Sequence, residues 1–284
     1  MHINASKENI IRLKQMSIRM RKMALDMAIS AGPKGAHIGG GFSCMEIMAV
    51  LYGEILDVDP NNPLKQERDR LLISKNHCTI AHFPALVERG YIEESDLTTY
   101  VQDGSRLIGY PYDPKIGLEY SGGSLGMALS VGIGQAIALR KKGISNKIYV
   151  LMGDGELNEG SIWEAFMSAA HFKLENLIVI VDRNHLCYDG RTKDIMDIEN
   201  LHKKMESFNF NVIECNGHNI MDLVNAFSTI SNEKPNIIIC NTVKGKGLSF
   251  AENNPEWHQK AITQAQYELA LSDLMKGGPY ERAY

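Results

Sequence analysis

The sequence predicts an α/β protein, a mostly parallel β-sheet flanked by helices. Short apolar runs at 148–152, 177–182, 210–214 and 237–242 are each bounded by turn residues. Stretches suited to helix separate them, near 160–172, 199–206 and 219–230. Strand–helix alternation of this kind builds a parallel sheet wrapped by helices. With 284 residues, 44% of them hydrophobic, the chain can bury a core without a disulfide or metal staple.

Leu13, Met16, Met20, Met23, Ala24 and Met27 recur at helical steps, so this methionine-rich stripe reads as core packing. A glycine-rich turn follows at 35–41, and Ser43 is expected to cap a second helix reaching about Tyr52. Residues 70–74 read as a short strand, with Asn76 and His77 in the turn after it, and 79–89 as helix. The stretch 104–123, rich in Gly, Pro, Tyr and Asp, is read as a long loop, of a kind usually functional or disordered. A small-residue helix is expected over 125–142, containing Gly126, Gly132 and Gly134. No repeat or linker divides the chain, which predicts one domain over 1–284 opening with a helical segment.

Composition excludes several classes. Thirty basic against 34 acidic residues give a net charge of −4, with no basic run, so nucleic acid is not an expected partner. Five cysteines, at 44, 78, 187, 215 and 240, are odd in number and lack C-x-x-C spacing, which argues against a disulfide framework and a thiolate zinc site. No apolar run approaches a membrane span. The basic first thirty residues lack an apolar core with a cleavage site, so they read as a structural helix and the protein as cytoplasmic. There is no G-x-x-x-x-G-K-[ST], and the Gly-x-Gly at 132–134 lies inside a helix, which disfavours a nucleotide enzyme.

The most informative segment runs from Ile148 to Asp189. A strand leads into Gly153-Asp154-Gly155, a helix follows, and a second strand ends at Asp182-Arg183-Asn184. The 24 residues 153–176 suffice for a right-handed crossover, which puts both strand ends on one sheet edge and brings Asp154 near Asn184. A carboxylate with an amide oxygen suits Mg²⁺, or Ca²⁺ in its place, with substrate phosphates completing the shell. Gly153 and Gly155 admit a diphosphate closely. A helix starting near Gly160 would aim its N-terminal amides at that anion.

Gly-Asp-Gly followed by 28 residues and then Asn resembles the thiamine diphosphate signature. Four further segments occur in the expected order: Gly35–Ser43, Leu72–His77, Ser121–Gly126, and Lys244–Gly247 with Trp257-His258. Together they resemble the transketolase family, specifically the N-terminal, thiamine diphosphate-binding (PP-type) subunit of a split transketolase. The resemblance implies a thiamine diphosphate-binding fold and transfer of a two-carbon ketol unit from a ketose to an aldose. It implies that Asp154, Asn184 and the Leu186 carbonyl hold Mg²⁺. His77 and His258 would contact the diphosphate or line the reaction centre, and His37 the substrate. Gly123, Ser124 and Leu125 would flank the pyrimidine ring, with Asp182 beneath the cofactor. Glu159, and more weakly Glu164, would act at the subunit interface, although each alone reads as an exposed helix carboxylate. A C-terminal pyrimidine-binding subunit would complete a heterotetramer acting on sugars or sugar phosphates.

The remaining histidines read as structural (His82), as surface (His171, His202), or as part of the turn opening a helix (His218). Three departures from the family pattern point to the substrate-facing rim and an unusual sugar. Tyr110 stands where the family has histidine, Asn76 replaces a glycine, and Met127 replaces a polar residue. Two alternatives stay open, a cofactor-binding or regulatory subunit without turnover and a related thiamine diphosphate ketol synthase component.

Overall fold

The structure, a computed structural model, describes residues 3–276. The ends of the expected 1–284 domain, residues 1–2 and 277–284, lie outside the described residues. Ten helices are described: α1 (Lys7–Ser30), α2 (Ile38–Phe42), α3 (Met45–Val50), α4 (Thr79–Arg89), α5 (Ala128–Lys141), α6 (Gly160–His171), α7 (Thr192–Ile195), α8 (Leu201–Ser207), α9 (Ile220–Ser228) and α10 (Gln264–Met275). Five strands, β1 (Arg70–Ile73), β2 (Ile148–Gly153), β3 (Leu177–Arg183), β4 (Asn211–Asn216) and β5 (Asn236–Asn241), form one sheet in the order β1-β2-β3-β5-β4. Every pairing is parallel. No helix of the described residues is long and apolar enough to cross a membrane.

Strands β2, β3 and β5 read as continuous apolar runs because both faces of the sheet are buried there, while β4 at the edge is partly exposed. Tyr149, Leu151, Ile178, Ile180 and Ile238 pack with α1, α3, α4 and α9 on one face. Ile148, Val150, Met152, Val179, Val181, Ile237 and Ile239 pack with α5, α6 and α8 on the other. The methionine stripe of α1 is buried as expected.

The region after α1 differs from expectation. From Ile38 the glycine-rich turn is helical, as α2, and Ser43 stands at the C-terminal end of that helix instead of capping α3. Its hydroxyl reaches Asp182 Oδ2 at 2.5 Å and Gly40 O at 3.0 Å, because a buried carboxylate needs the donor. Cys44 precedes α3 instead, and a π-helical turn at Leu51–Ile55 prolongs it. The helix expected from 125 starts at Ala128. Gly126 lies before it with φ +82°, where an added Cβ would meet Glu159 Cβ at 2.8 Å. Helix α10, which the sequence reading missed, opens with a Thr263–Gln266 capping box and packs against α1.

Glycines in α2 set how closely the layers approach. A Cβ on Gly41 would stand 2.1 Å from Ile80 Cγ2, in the fully buried contact between α2 and α4. Gly41→Ala is therefore expected to cost about 1–3 kcal/mol through overpacking. Urea denaturation of the variant checks this, and unchanged stability would show that Ile80 gives way freely.

Candidate active site

The register places Gly153 beside Asp182, so the ends of β2 and β3 meet on one edge of the sheet. A cavity of about 370 Å³ opens over this edge. Its walls include His37, Lys75, His77, Tyr110, Gly123, Leu125, Gly153, Asp154, Gly155, Asn184, Leu186, Lys244 and His258. Most of the residues proposed from sequence thus converge on one concavity. Ser124 and Glu159 are exposed and outside this lining, and Glu164 is exposed on α6. Asp182 lies behind the cavity wall, bonded to Lys75 of the lining.

Asp182 is fully buried, and donors converge on it. Lys75 Nζ, Ser43 Oγ and Thr242 Oγ1 all hydrogen-bond its carboxylate, and Asn184 Nδ2 lies at 3.4 Å. Burial alone would raise its pKa, but Lys75 and the hydroxyls bring it below the usual carboxylate value. The same ion pair overrides the burial of Lys75 and raises that group's pKa.

Asp154 sits at the other strand end with the opposite balance. Burial, reinforced by Asp182, pushes its pKa up to about 7, against the amides of His185 at 2.6 Å and Gly155 at 2.9 Å. Asn184 Oδ1 accepts from Leu186 N at 3.1 Å, which shapes the following turn. Lys244 Nζ bonds the Cys187 carbonyl at 3.0 Å and the Leu186 carbonyl at 3.4 Å. An ammonium seated on these carbonyls marks the spot as cation-attracting. One carboxylate, one amide and backbone carbonyls form a hard oxygen donor set that fits Mg²⁺ or Ca²⁺. Among the described residues no cluster of three His, Cys, Asp or Glu is placed to hold a metal, so a diphosphate would need to complete the shell.

Three imidazoles crowd the opposite wall. The ring of His77 lies 5.5 Å from that of His37 and 5.1 Å from that of His258, and His37 and His258 are 5.4 Å apart. Burial first, then the nearby Lys244, lowers His37 to about 4 and His258 to about 3. Burial and Lys75 also lower His77 well below its ordinary value. All three are therefore neutral near pH 7. Lys244 itself is lowered to about 8 by burial and by Lys75. Its ammonium also donates to His258 Nδ1 at 3.1 Å, which leaves the ring proton on Nε2.

Sequence reasoning missed Glu156, whose carboxylate is buried and accepts from Ser74 Oγ, Gly126 N at 2.7 Å and Gly153 N at 3.3 Å. It ties β1, β2 and the Gly123–Gly126 loop together. It also missed Lys75 and Lys244, although both lie in segments it singled out. The diphosphate amides expected from the start of α6 are displaced. Gly155, Glu156 and Asn158 of a short 3₁₀ turn line the cavity, and Gly160 does not. Of the three departures, Tyr110 lies at the mouth with its ring over Gly123, and Asn76 lines the wall. Met127 is outside that lining, on an exposed face, which corrects its expected place at the rim. His82 is buried and bonds Tyr52, as a structural histidine should.

The family model "Transketolase, thiamine diphosphate binding domain" matches residues 13–274. An apulose-4-phosphate transketolase subunit from Actinobacillus succinogenes is 44% identical over 263 residues, 92% of this chain and 94% of that protein. A 6-deoxy-6-sulfo-D-fructose transketolase subunit from a Clostridium species is 35% identical over 274 residues, 95% of this chain and 99% of that one. Campylobacter jejuni transketolase superposes with a TM-score of 0.85 at 27% identity, covering 93% of this chain and 42% of its own. The chain thus spans about two-fifths of that solved transketolase.

Removing Lys75 would leave the Asp182 carboxylate buried without its cation. Lys75→Met is expected to destabilise the protein by about 3–5 kcal/mol, the usual cost of breaking a buried pair. Chemical denaturation at neutral pH measures it, and a loss under about 1 kcal/mol would mean that the hydroxyls alone satisfy Asp182.

Proposed function

Because this chain belongs to the transketolase family, as its thiamine diphosphate-binding part, we propose that it is the N-terminal subunit of a split transketolase. It moves a two-carbon ketol unit from a ketose to an aldose, with Mg²⁺ and a separate pyrimidine-binding subunit. The observation that carries this reading is the joining, at one sheet edge, of the Asp154–Asn184–Leu186 oxygen set with three neutral imidazoles. The cofactor supplies carbanion stabilisation when bound, and the protein supplies binding and electrostatics.

Asp154, Asn184 and the Leu186 carbonyl would hold the metal, while Lys244, His77 and the Gly153 and Gly155 backbone would receive the diphosphate. Gly123, Ser124 and Leu125 would meet the pyrimidine ring. Neutral His37 and His258 can exchange protons with substrate hydroxyl and carbonyl oxygens without a fixed charge opposing either direction. Such an intact donor set favours turnover over a purely regulatory role.

The partner surface adjoins the cavity. Leu125, which lines it, is exposed together with Met127 and Val131, and Gly134 and Ala138 are exposed farther along α5. Met167, Glu159 and Glu164 are exposed on or beside α6, which packs against α5. Apolar and small residues in a continuous face suit close helix packing, and Glu159 and Glu164 would lie at that interface. A heterotetramer in the cytoplasm is the assembly we favour, and the five free cysteines fit a reducing compartment. Relatives named for apulose 4-phosphate and a sulfo-sugar support an unusual sugar substrate.

Reconstitution tests the reading. The chain alone should show no ketol transfer, and adding a C-terminal, pyrimidine-binding transketolase subunit should restore transfer dependent on thiamine diphosphate and Mg²⁺. In the restored enzyme Asp154→Ala should abolish Mg²⁺-dependent cofactor binding. Turnover by the chain alone would overturn the split, and unchanged affinity would overturn the metal assignment.

Tyr110 can donate a hydrogen bond at the mouth but cannot shuttle a proton near pH 7. Tyr110→His is expected to shift the ratio of kcat/KM among donor sugars. Identical ratios across a sugar panel would remove the tyrosine from substrate reading.

A further inference from the structure

We propose that His218 is a positioning residue, which sets the backbone carrying Thr242 and Lys244 through a buried Arg21–Glu46–His218 relay. His218 stands in the turn between β4 and α9, its side chain about 10% exposed. Its Nε2 accepts the Val243 amide at 2.8 Å. A backbone N–H can only donate, so Nε2 carries no proton. Nδ1 lies 2.9 Å from Glu46 Oε2 and therefore donates its proton there. The imidazole is thereby fixed in one tautomer with both nitrogens used.

Glu46 is itself fully buried. Burial would raise its pKa, but Arg21 and His218 bring it down to about 2, so the carboxylate is charged. Arg21 grips it with both terminal nitrogens, at 3.0 Å for Nη2, and the same Nη2 reaches the Phe42 carbonyl at 3.3 Å. A buried ion pair is weak evidence for stability, because desolvation opposes it. Toward the cavity, the relay acts through the His218 bond to Val243.

That bond acts on the peptide between two site residues. Thr242 Oγ1 donates to Asp182, and Lys244 Nζ reaches the Leu186 and Cys187 carbonyls and His258. Close approach of the turn is built in. A Cβ on Gly217 would meet Thr242 Cγ2 at 2.4 Å and Cys240 Cβ at 3.1 Å. The relay thus runs from α1 through α3 and the β4–α9 turn to the cavity wall.

The test reads the backbone and Lys244 in the full chain, without cofactor. In His218→Ala, amide exchange at Val243 should be about tenfold faster, the equivalent of one lost hydrogen bond. Acylation of Lys244, read by mass spectrometry at pH 8, should change at least about threefold while the sheet amides keep their protection. His218→Gln keeps an acceptor and a donor on one side chain and should restore much of both. Unchanged Val243 exchange and Lys244 labelling in folded His218→Ala, or no rescue of either by His218→Gln, would overturn the proposal. So would faster exchange spread evenly over the sheet, which marks a merely structural residue. A further arm rests on the proposed function. In the reconstituted enzyme His218→Ala should raise the KM for thiamine diphosphate roughly tenfold, the usual cost of losing a residue behind a ligand, with a smaller change in kcat. Altered exchange with an unchanged KM would reject the link to the cofactor. No cofactor dependence in the unsubstituted enzyme would instead reject the proposed function.

Discussion

Everything at the catalytic edge is organised by one buried carboxylate. Asp182 ends its strand inside the protein and cannot reach water, so charge and donors must come to it. Lys75 arrives from the turn after β1, Ser43 from the chain between α2 and α3, Thr242 from the end of β5, and Asn184 from its own strand end. Meeting the demand of one anion therefore draws four chain segments together beneath the cavity. Those segments carry His77, the α2 glycines, Lys244 and the Asn184 amide.

The same cations set the protonation of the wall above. Lys75 and Lys244 lie behind or beside the three imidazoles, and burial combines with their charge to keep all three neutral. Under the proposed function, a site that receives a diphosphate and a divalent cation would gain from this division. Fixed positive charge sits on lysines beside the diphosphate's place, while the groups facing a sugar stay uncharged and able to move protons. Asp154, in contrast, forms no ion pair among the described residues, and burial with the nearby Asp182 outweighs the pull of Lys75 and raises its pKa. A divalent cation between Asp154 and the neighbouring carbonyls would remove that imbalance.

The sheet was legible because its apolar runs are buried on both faces, and Asp154 and Asn184 because a crossover fixes where two consecutive strand ends lie. His37, His77 and His258 could be gathered only through the family resemblance, since nothing local brings residues so far apart in the chain together. Ser43 was misread because a serine before an apolar run looks like a cap, and the sequence does not reveal that Asp182 competes for its hydroxyl. Glu156 was missed for a related reason. It follows Gly155 in an acidic turn, and only the folded loop delivers the Gly126 amide and the Ser74 hydroxyl to it. Buried polar partners from distant segments are the least visible feature of a sequence, yet here they hold the site together.

The cavity and the exposed α5–α6 face are one surface rather than two. Leu125 lines the first and begins the second, and Gly126, held by Glu156 and Ser161, fixes the bend between them. Any partner that covers Met127 and Val131 must also roof the cavity at Leu125. Movement of that partner would be felt at Glu156, and through it at the ends of β1 and β2. Under the proposed function, binding of a second subunit on this face would also cover the cavity. The part of the mouth away from that face is lined by Tyr110, which the proposed function makes the first candidate for reading the sugar.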